Sequence, residues 1–312
     1  MAAIEVREIN KKFKEIAAIN NLSFSVPENK IFGLLGSNGS GKTTTINMLT
    51  GLLVPDSGKI TILGMDTSKH IEKIRQHIAL VPQSISLYEN LTIYENLEFF
   101  GGLYIRDKQK LIRNIDKTIE VLKLNEKKNS KISKLSGGYQ RRCSIGCALI
   151  SNPRILILDE PLAGVDAYTS VILMNFLKSL KETTIILTTH SIEEAEELCD
   201  YLVFMHKGKK ILAGMPNQIV NYYSKYFGEQ IFIEFDSAVE ANEIDKCLQL
   251  EGFKIRNLKL SGNTVSFTSA NLGSTIIDVL DSLKSVESHV LNIDIKKPTL
   301  ENIFTYLVQH QK

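Results

Sequence analysis

Two hydrophobic patterns alternate along the chain. Leu22, Phe24 and Val26 alternate with serines, which predicts a half-buried strand. Residues 31–35 and 155–158 are continuously apolar, as strands covered on both faces are. Further predicted elements are strands at 184–187 and 201–204 and helices at 167–180 and 192–199. Strands that alternate with helices predict an α/β core with a mostly parallel sheet.

A helical segment is inserted into this alternation. Between about residues 84 and 149 the sequence is more polar, and its apolar positions take helical spacing, as in 94–100 and 110–124. The residues before the first helix, predicted to start near Thr43, have the patterns of strands. The first part of the chain is therefore expected to combine strands, a parallel core and an inserted helical subdomain.

A second unit is predicted after Gly214 and Pro216, which mark a boundary between domains 1–216 and 217–312. The elements predicted there are strands at 231–235, 253–260, 264–267 and 290–295 and helices at 239–250, 272–283 and 300–308. A glycine turn at 261–263 predicts a hairpin between the second and third strands. The order βαββαβα favours a small α+β domain of ferredoxin-like type.

Composition narrows the range of functions. The chain has 312 residues, enough for two domains, with 37 basic and 35 acidic residues and a net charge of +2. So small an excess predicts no nucleic-acid partner. Four scattered cysteines predict reduced thiols rather than a disulfide framework. No secretory signal and no membrane span are expected, because no apolar run reaches the required length.

The strongest chemical signal is a glycine-rich loop between a buried strand and a helix. It matches the pattern G-x-x-x-x-G-K-[ST] and consists of Gly36, Ser37, Asn38, Gly39, Ser40, Gly41, Lys42 and Thr43. Glycines let such a loop turn its amide groups toward phosphates, and the helix dipole adds positive potential there. Lys42 is predicted to contact the β- and γ-phosphates, and the Thr43 hydroxyl to bind Mg²⁺.

A pair of carboxylates ends the buried strand at 155–158. Asp159 and Glu160 follow it directly, at the sheet edge where α/β folds bind ligands. Alone, such a pair would more often start a helix. After a phosphate-binding loop, Asp159 is predicted to help hold Mg²⁺ and Glu160 to polarise a water molecule.

Three further features are uninformative alone and specific together. The segment 135–140, Leu-Ser-Gly-Gly-Tyr-Gln, precedes a helix, with Ser136 as its predicted N-cap. Gln83 follows a predicted strand, and His190 ends another. With the glycine-rich loop and the carboxylate pair, these residues resemble the ATP-binding cassette of ABC transporters over roughly residues 4–214.

The resemblance implies the fold and the reaction. The expected fold is a P-loop NTPase (RecA-like) core with a mostly parallel sheet, an N-terminal antiparallel β subdomain and an inserted α-helical subdomain. The expected activity is ATP hydrolysis with Mg²⁺. The cassettes are expected to pair head to tail, as a homodimer or a heterodimer, so that segment 135–140, here called the signature segment, contacts ATP held by the other subunit.

Roles for individual residues follow from the same resemblance. Gln83 senses Mg²⁺ and the attacking water, and His190 contacts the γ-phosphate. Asp166 faces the partner subunit, and Phe13 lies where the family keeps an aromatic ring against adenine. The remaining residues expected at the nucleotide are Thr44, Ser136, Gly137 and Gly138. The sequence departs from the common pattern at Tyr139, where glutamine is usual, and at Phe13, where tyrosine is usual.

The C-terminal sequence Lys-Pro-Thr-Leu-Glu-Asn-Ile-Phe at 297–304 is similar to the closing segment of cassettes from drug, antibiotic, lipid and sodium exporters. Such cassettes work with a separate membrane permease, which implies a cytoplasmic chain held on the inner face of the membrane. Two alternatives stay open here: an importer cassette with a regulatory tail, and an ABC-type ATPase that acts on ribosomes or DNA. One cassette, no heptads and no basic excess disfavour the second alternative.

Overall fold

The structure is a computed structural model that describes residues 2–237, 255–269 and 289–310. The chain divides into two compact units, Met1–Met215 and Pro216–Lys312. The helices predicted at 239–250 and 272–283 lie outside the described residues. Within the described ranges, no helix has the length and apolar character needed to cross a membrane.

The first unit contains ten strands and seven α-helices within the described residues. The strands are β1 (Ala2–Phe13), β2 (Ile16–Pro27), β3 (Ile31–Leu35), β4 (Ser57–Ile62), β5 (Met65–Asp66), β6 (Ile78–Val81), β7 (Ile155–Asp159), β8 (Thr184–Thr189), β9 (Tyr201–His206) and β10 (Lys209–Gly214). The helices are α1 (Lys42–Leu49), α2 (Thr67–Arg75), α3 (Ile93–Gly102), α4 (Lys108–Val121), α5 (Gly137–Leu149), α6 (Ala167–Ser179) and α7 (Ile192–Leu198). Two 3₁₀ turns, Asn125–Lys127 and Ile132–Lys134, lie between α4 and α5.

The strands form two sheets of different kinds. The first is antiparallel, in the order β2-β1-β4-β5. The second has the order β10-β9-β3-β8-β7-β6, and it is parallel except for the edge strand β10. All residues of β3, β7 and β8 are buried, which explains their continuous apolar runs. Since parallel strands end at one edge, the loops after β3, β7 and β8 meet there.

The hydrophobic core of the first unit lies between the two sheets. It joins the buried face of the antiparallel sheet to α1 and to the strands of the parallel sheet, through residues such as Ile4, Leu22, Ile46, Ile157 and Val203. Leu22, Phe24 and Val26 are buried while the serines between them are more exposed, as their alternation predicts. The core therefore fixes α1 and the loop before it against β7.

Three helices, α3, α4 and α5, are inserted between β6 and β7. Their close packing depends on small residues: a Cβ at Gly146 would lie 3.0 Å from Thr118 and 3.2 Å from Leu97. Helix α3 starts with a capping box in which Thr92 and Glu95 each accept the other's main-chain N–H. Ser136 occupies the N-cap position of α5 as predicted, but its hydroxyl caps no main-chain N–H among the described residues.

In the second unit, a four-stranded antiparallel sheet has the order β12-β13-β11-β14. Its elements are α8 (Pro216–Phe227), β11 (Glu229–Phe235), β12 (Ile255–Ser261), β13 (Thr264–Ser269), β14 (Val290–Lys296) and α9 (Leu300–Gln309). Ser261 pairs with Thr264 across the predicted hairpin turn. The connecting helices of a ferredoxin-like unit fall in ranges that the structure does not describe, so that topology stays a prediction.

Several elements lacked a clear pattern in the sequence. Strands β4, β5 and β10 and helices α2 and α8 were not predicted. The first three residues of β4 are exposed, and β10 is an edge strand without a buried residue. Helix α2 buries only Ile74. Where so few positions are buried, the hydrophobic period that predicts an element is absent.

Candidate functional site

The loop between β3 and α1 folds tightly around its own main chain. A Cβ at Gly36 would lie 2.5 Å from Ser40 Oγ, and one at Gly41, where φ is +105°, would lie 2.7 Å from the carbonyl oxygen of Ala18. Only glycine fits both positions. The buried Ser40 Oγ is without a hydrogen-bond partner within the described part of the chain. An orphaned hydroxyl in a glycine cradle suits a polar ligand, which agrees with the predicted phosphate site.

The ammonium group of Lys42 is buried in this loop. Its Nζ donates to the carbonyl oxygens of Gly36 at 2.7 Å and Ser37 at 3.3 Å, and it lies 3.8 Å from Glu160 Oε1. Burial lowers the pKa of Lys42, and the nearby carboxylates of Glu160 and Asp159 oppose that shift. The site therefore keeps a desolvated positive charge at the mouth of the loop.

The first carboxylate after β7 is surrounded by hydroxyl groups. Thr43 Oγ1 donates to Asp159 Oδ2 at 3.3 Å, and the Thr188 hydroxyl donates to Oδ1 of the same carboxylate. Thr188 lies on the adjacent strand β8, beside Asp159 in the parallel register. The donor set is oxygen only, as Mg²⁺ prefers. Gln83 shares a pocket with Thr43 and Asp159.

The second carboxylate is held in an unusual main-chain conformation. Glu160 has φ of +48°, in the left-handed region that favours glycine. Its N–H donates to Thr188 Oγ1 at 2.9 Å. Its side chain is 10% exposed, with Oε2 at 3.2 Å from His190 Nδ1 and Oε1 facing Lys42.

The parallel sheet thus brings the loops after β3, β7 and β8 together at one edge. Lys42 and His190 each lie within ion-pair or hydrogen-bond distance of Glu160, and Asp159 accepts hydrogen bonds from Thr43 and Thr188. The His190 side chain is 58% exposed, so it faces solvent on one side and Glu160 on the other. Thr44, the third residue of α1, is half-buried next to Thr43.

The signature segment lies at the start of α5 and packs against the first turn of α6. Ser136 and Gly137 are exposed at the start of α5. Gly138 is buried against the first turn of α6: a Cβ there would lie 2.6 Å from Thr169 Oγ1 and 3.3 Å from Asp166 Oδ2. The segment therefore presents an open helix N-terminus to solvent, with α6 behind it.

Asp166 has a structural role within its own chain. Its carboxylate caps α6, accepting the Thr169 N–H at 2.9 Å and the Thr169 hydroxyl at 2.8 Å. These bonds lower the pKa of Asp166. It is exposed, so a contact with a partner subunit is compatible with the cap.

Phe13 lies at the tip of the β1–β2 hairpin, where it pairs with Ile16. Its ring is 46% exposed, with Lys11 Nζ at 5.8 Å from the ring centroid. The same hairpin supplies Ala18 and Ile19, which pack on Gly41. An exposed ring on the hairpin that packs against the glycine loop suits stacking on a planar base.

Two residues that contact the carboxylates had no clear signal in the sequence. Thr188 looked like an ordinary strand residue, yet its hydroxyl bonds both Asp159 and the Glu160 N–H. Arg141, to which the sequence analysis assigns no role, is 3% exposed and donates to main-chain oxygens beside both carboxylates. A basic residue just after a glycine-rich helix start is common, which is why the sequence pattern alone did not distinguish it.

Comparisons with known proteins give a consistent result. The family model described as "ABC transporter" matches residues 19–163. The chain is 31% identical over 306 residues to the linearmycin resistance ATP-binding protein LnrL of Bacillus subtilis (strain 168), with 97% of each chain covered. It is 39% identical over 220 residues to the Nod factor export ATP-binding protein I of Rhizobium sp. (strain N33), with 70% of this chain and 72% of that protein covered.

Solved structures confirm the predicted fold class. A structure described as the ATP binding subunit of an ABC transporter has a TM-score of 0.65 and 28% identity, covering 71% of this chain and 93% of that chain. A dimeric post-hydrolysis state of the cassette MJ0796, bound to ADP and Pi, has a TM-score of 0.63 and 27% identity, covering 68% of this chain and 98% of that chain. With the geometry above, these matches show that the chain belongs to the ATP-binding cassette family of ABC transporters and is an ATP-binding subunit that hydrolyses ATP.

Proposed function

We propose that this chain powers a separate membrane permease that exports its cargo, as the cytoplasmic ATPase of the complex. The observation that carries the proposal is the convergence of Lys42, Asp159, Glu160 and His190 at one edge of the parallel sheet. The export direction is supported by relatives whose names describe antibiotic resistance and Nod factor export, one of which aligns over nearly its whole length.

We assign the triphosphate of ATP to the loop 36–43. The amides there would donate to the phosphate oxygens, and the orphaned Ser40 hydroxyl would gain a partner. Lys42 would exchange the carbonyls of Gly36 and Ser37 for phosphate oxygens, which satisfy a buried ammonium better. Phe13 would stack on the adenine, and Thr44 would lie beside the phosphates.

Thr43, Asp159 and Gln83 would hold Mg²⁺, and the ion when bound would neutralise charge on the phosphates. The Asp159 carboxylate is already oriented by Thr188 and Thr43, so this group needs little rearrangement. These three residues suit Mg²⁺ because each of them offers an oxygen atom, the ligand that Mg²⁺ prefers.

Glu160 is the group best placed to orient and deprotonate a water molecule. Its positive φ turns the carboxylate away from the strand direction and toward Lys42 and His190. His190, half in solvent, would contact the γ-phosphate and hold Glu160 through Nδ1. Gln83 would position the same water from the segment after β6. These are the expected roles of a general base and its orienting partners.

We further propose that two cassettes close head to tail around ATP. Ser136 and Gly137 are exposed, and the Ser136 hydroxyl caps no main-chain group among the described residues, so it is free to bond a phosphate of the opposite subunit. Asp166 and Gly138 lie together behind this surface and would meet the other subunit with it. The second cassette is either a copy of this chain or a related one.

A groove on the first unit is the surface we propose for the permease. It has a volume of about 350 Å³ and lies between the end of α1, β6 and the helices α3 and α5. Its rim includes Leu52 and Tyr104, which are 61% and 60% exposed, and Leu103 beside it is 64% exposed. Pro82, next to Gln83, also lines it. Exposed apolar side chains around a groove are typical of a protein interface, and this one reaches the segment that we assign to the water.

The experiment is isolation of the native complex followed by transport in inside-out vesicles. We expect a multi-helix membrane protein to co-purify with the chain, and ATP to drive cargo into the vesicles, the direction of export. Leu103→Glu combined with Tyr104→Glu should release the permease without lowering ATP binding. ATP-driven movement of cargo out of such vesicles would show an importer, and co-purification of ribosomes or DNA without a membrane protein would refute the transport role.

A further inference from the structure

Arg141 makes an unusual set of hydrogen bonds in the first unit. A guanidinium has five N–H donors, and here all five are directed at main-chain carbonyl oxygens. The acceptors are Pro161 at 2.9 Å from Nε, Pro82 at 2.8 Å and Gln83 at 3.4 Å from Nη1, and Asp159 at 3.1 Å and Glu160 from Nη2. The side chain is 3% exposed. It therefore joins the segment after β6 to the turn after β7.

Those two segments carry the groups that we assign to the reacting water. Gln83 is on one, and Asp159 and Glu160 are on the other. Arg141 is near the start of α5, three residues after Gly138, so the same helix turn also carries the signature segment. A displacement of α5 would reach Gln83 and Glu160 through this one side chain.

The hydrogen bonds of Arg141 also help to hold the main-chain conformation of Glu160. Glu160 has φ of +48°, in the left-handed region that favours glycine. Three groups hold this turn: Thr188 accepts the Glu160 N–H, and the Glu160 carbonyl oxygen accepts from Arg141 and from the Ala163 N–H at 3.2 Å. Within the described part of the chain, Arg141 is the residue that bonds both the Glu160 carbonyl oxygen and that of Gln83.

We propose that Arg141 is a positioning residue for hydrolysis. Its planar guanidinium fixes the position of the Glu160 main chain relative to the segment that carries Gln83. The proposal rests on the function proposed above for Glu160 and Gln83. In a head-to-tail pair it also gives a physical path from the signature segment, bound to one ATP, to the base that acts on the other ATP. The role requires the guanidinium and not merely a positive charge, because five separate carbonyls are bonded.

The neighbouring Arg142 is a matched control. It is 5% exposed, lies on the same helix and also donates to main-chain carbonyls, those of Leu122 at 3.0 Å, Lys123 at 2.9 Å and Gly138 at 3.4 Å. Its guanidinium lies 4.3 Å from the Tyr139 ring. These bonds join α5 to the end of α4 and do not reach either segment of the hydrolysis site.

The experiment compares four variants in the full chain: Arg141→Met, Arg141→Lys, Arg142→Met and Arg142→Lys. Melting temperature, ATP affinity by calorimetry, kcat and KM are measured where each protein is fully folded. We expect both Arg141 variants to lose about 10- to 100-fold in kcat, the usual cost of removing a group that orients a reacting one, with ATP affinity within about threefold of wild type. Both Arg142 variants should lower the melting temperature but keep kcat within about threefold.

The lysine variants decide the proposal if methionine prevents folding. Full kcat in Arg141→Lys would show that charge alone suffices and would overturn the positioning role. An equal loss of kcat in Arg142→Lys would show general loosening of α5 and would overturn it as well. A wild-type chain without ATP hydrolysis would refute the proposed function itself, whereas active wild type and active Arg141→Lys would refute the role of Arg141 alone.

Discussion

Replacing Glu160 by glutamine should separate ATP binding from ATP hydrolysis. Glutamine keeps the size of the side chain and its ability to hydrogen-bond, but it removes the negative charge and the proton acceptor. Asp159 and Thr43 remain in place for Mg²⁺, and the loop 36–43 is unchanged. The variant should therefore bind ATP with wild-type affinity or better while its turnover falls.

The loss of stability without nucleotide can be estimated from the structure. Glu160 Oε1 and Lys42 Nζ lie 3.8 Å apart with side chains 10% and 6% exposed, and at a separation near 4 Å the attraction of such a pair is about 4 kcal/mol in an environment of effective dielectric constant 20. The variant loses this attraction only when ATP is absent. When ATP is bound, its phosphate replaces Glu160 as the partner of Lys42 in either protein. Loss of a general base lowers kcat by about 10²- to 10⁴-fold.

The assay is phosphate release together with calorimetric titration of ATP. We expect a lower melting temperature without nucleotide, a larger rise in melting temperature on adding ATP than in wild type, and kcat reduced by at least about 100-fold. Glu160→Asp is the control, since it keeps the charge but shortens its reach, and it should retain more stability without nucleotide than the glutamine variant. Normal turnover in Glu160→Gln would refute the assignment of the base.

Three other predictions use different parts of the site. Lys42→Ala should abolish ATP binding and hydrolysis in a chain that still folds but melts at a lower temperature, because it removes the attraction between Lys42 and the buried Glu160 carboxylate; circular dichroism and calorimetry check this, and wild-type turnover would contradict it. His190→Ala should lower kcat by about 10²-fold or more and change ATP affinity little, since its contact is through Glu160 and the γ-phosphate; loss of ATP binding would contradict that role. Deletion of residues 216–312 should leave a folded unit that binds ATP, because the chain divides at Met215; aggregation without nucleotide binding would show that the second unit is required for the fold.

The sequence was most informative where a pattern depends on complete burial or on fixed spacing. The strands at 31–35 and 155–158 are apolar throughout because both faces are covered, and each leads into its site loop. Since parallel strands end at one edge, convergence of Lys42, Asp159, Glu160 and His190 followed from the order of elements. Helix α2 and strand β10 were missed for the opposite reason, because few of their side chains are buried.

Contacts made through the main chain were beyond the reach of sequence patterns. The five carbonyls bonded by Arg141 come from two segments distant in the chain, and no residue type there signals them. The positive φ of Glu160 is also invisible in the sequence, since glutamate does not mark that conformation. Ser136 was predicted correctly as an N-cap by position, whereas only the structure shows that its hydroxyl makes no capping bond within the described residues.

In the proposed head-to-tail pair, two cassettes complete each other's ATP sites, and the mass of Glu160→Gln in solution is a direct test of this pairing. Light scattering should report a monomer without nucleotide, a dimer with ATP and a monomer with ADP. The same protein carrying Ser136→Arg should still bind ATP yet stay monomeric, because the arginine blocks the contact with the opposite phosphates. A Glu160→Gln protein that binds ATP and remains monomeric with its permease present, or a Ser136→Arg double variant that dimerises equally well, would contradict the account.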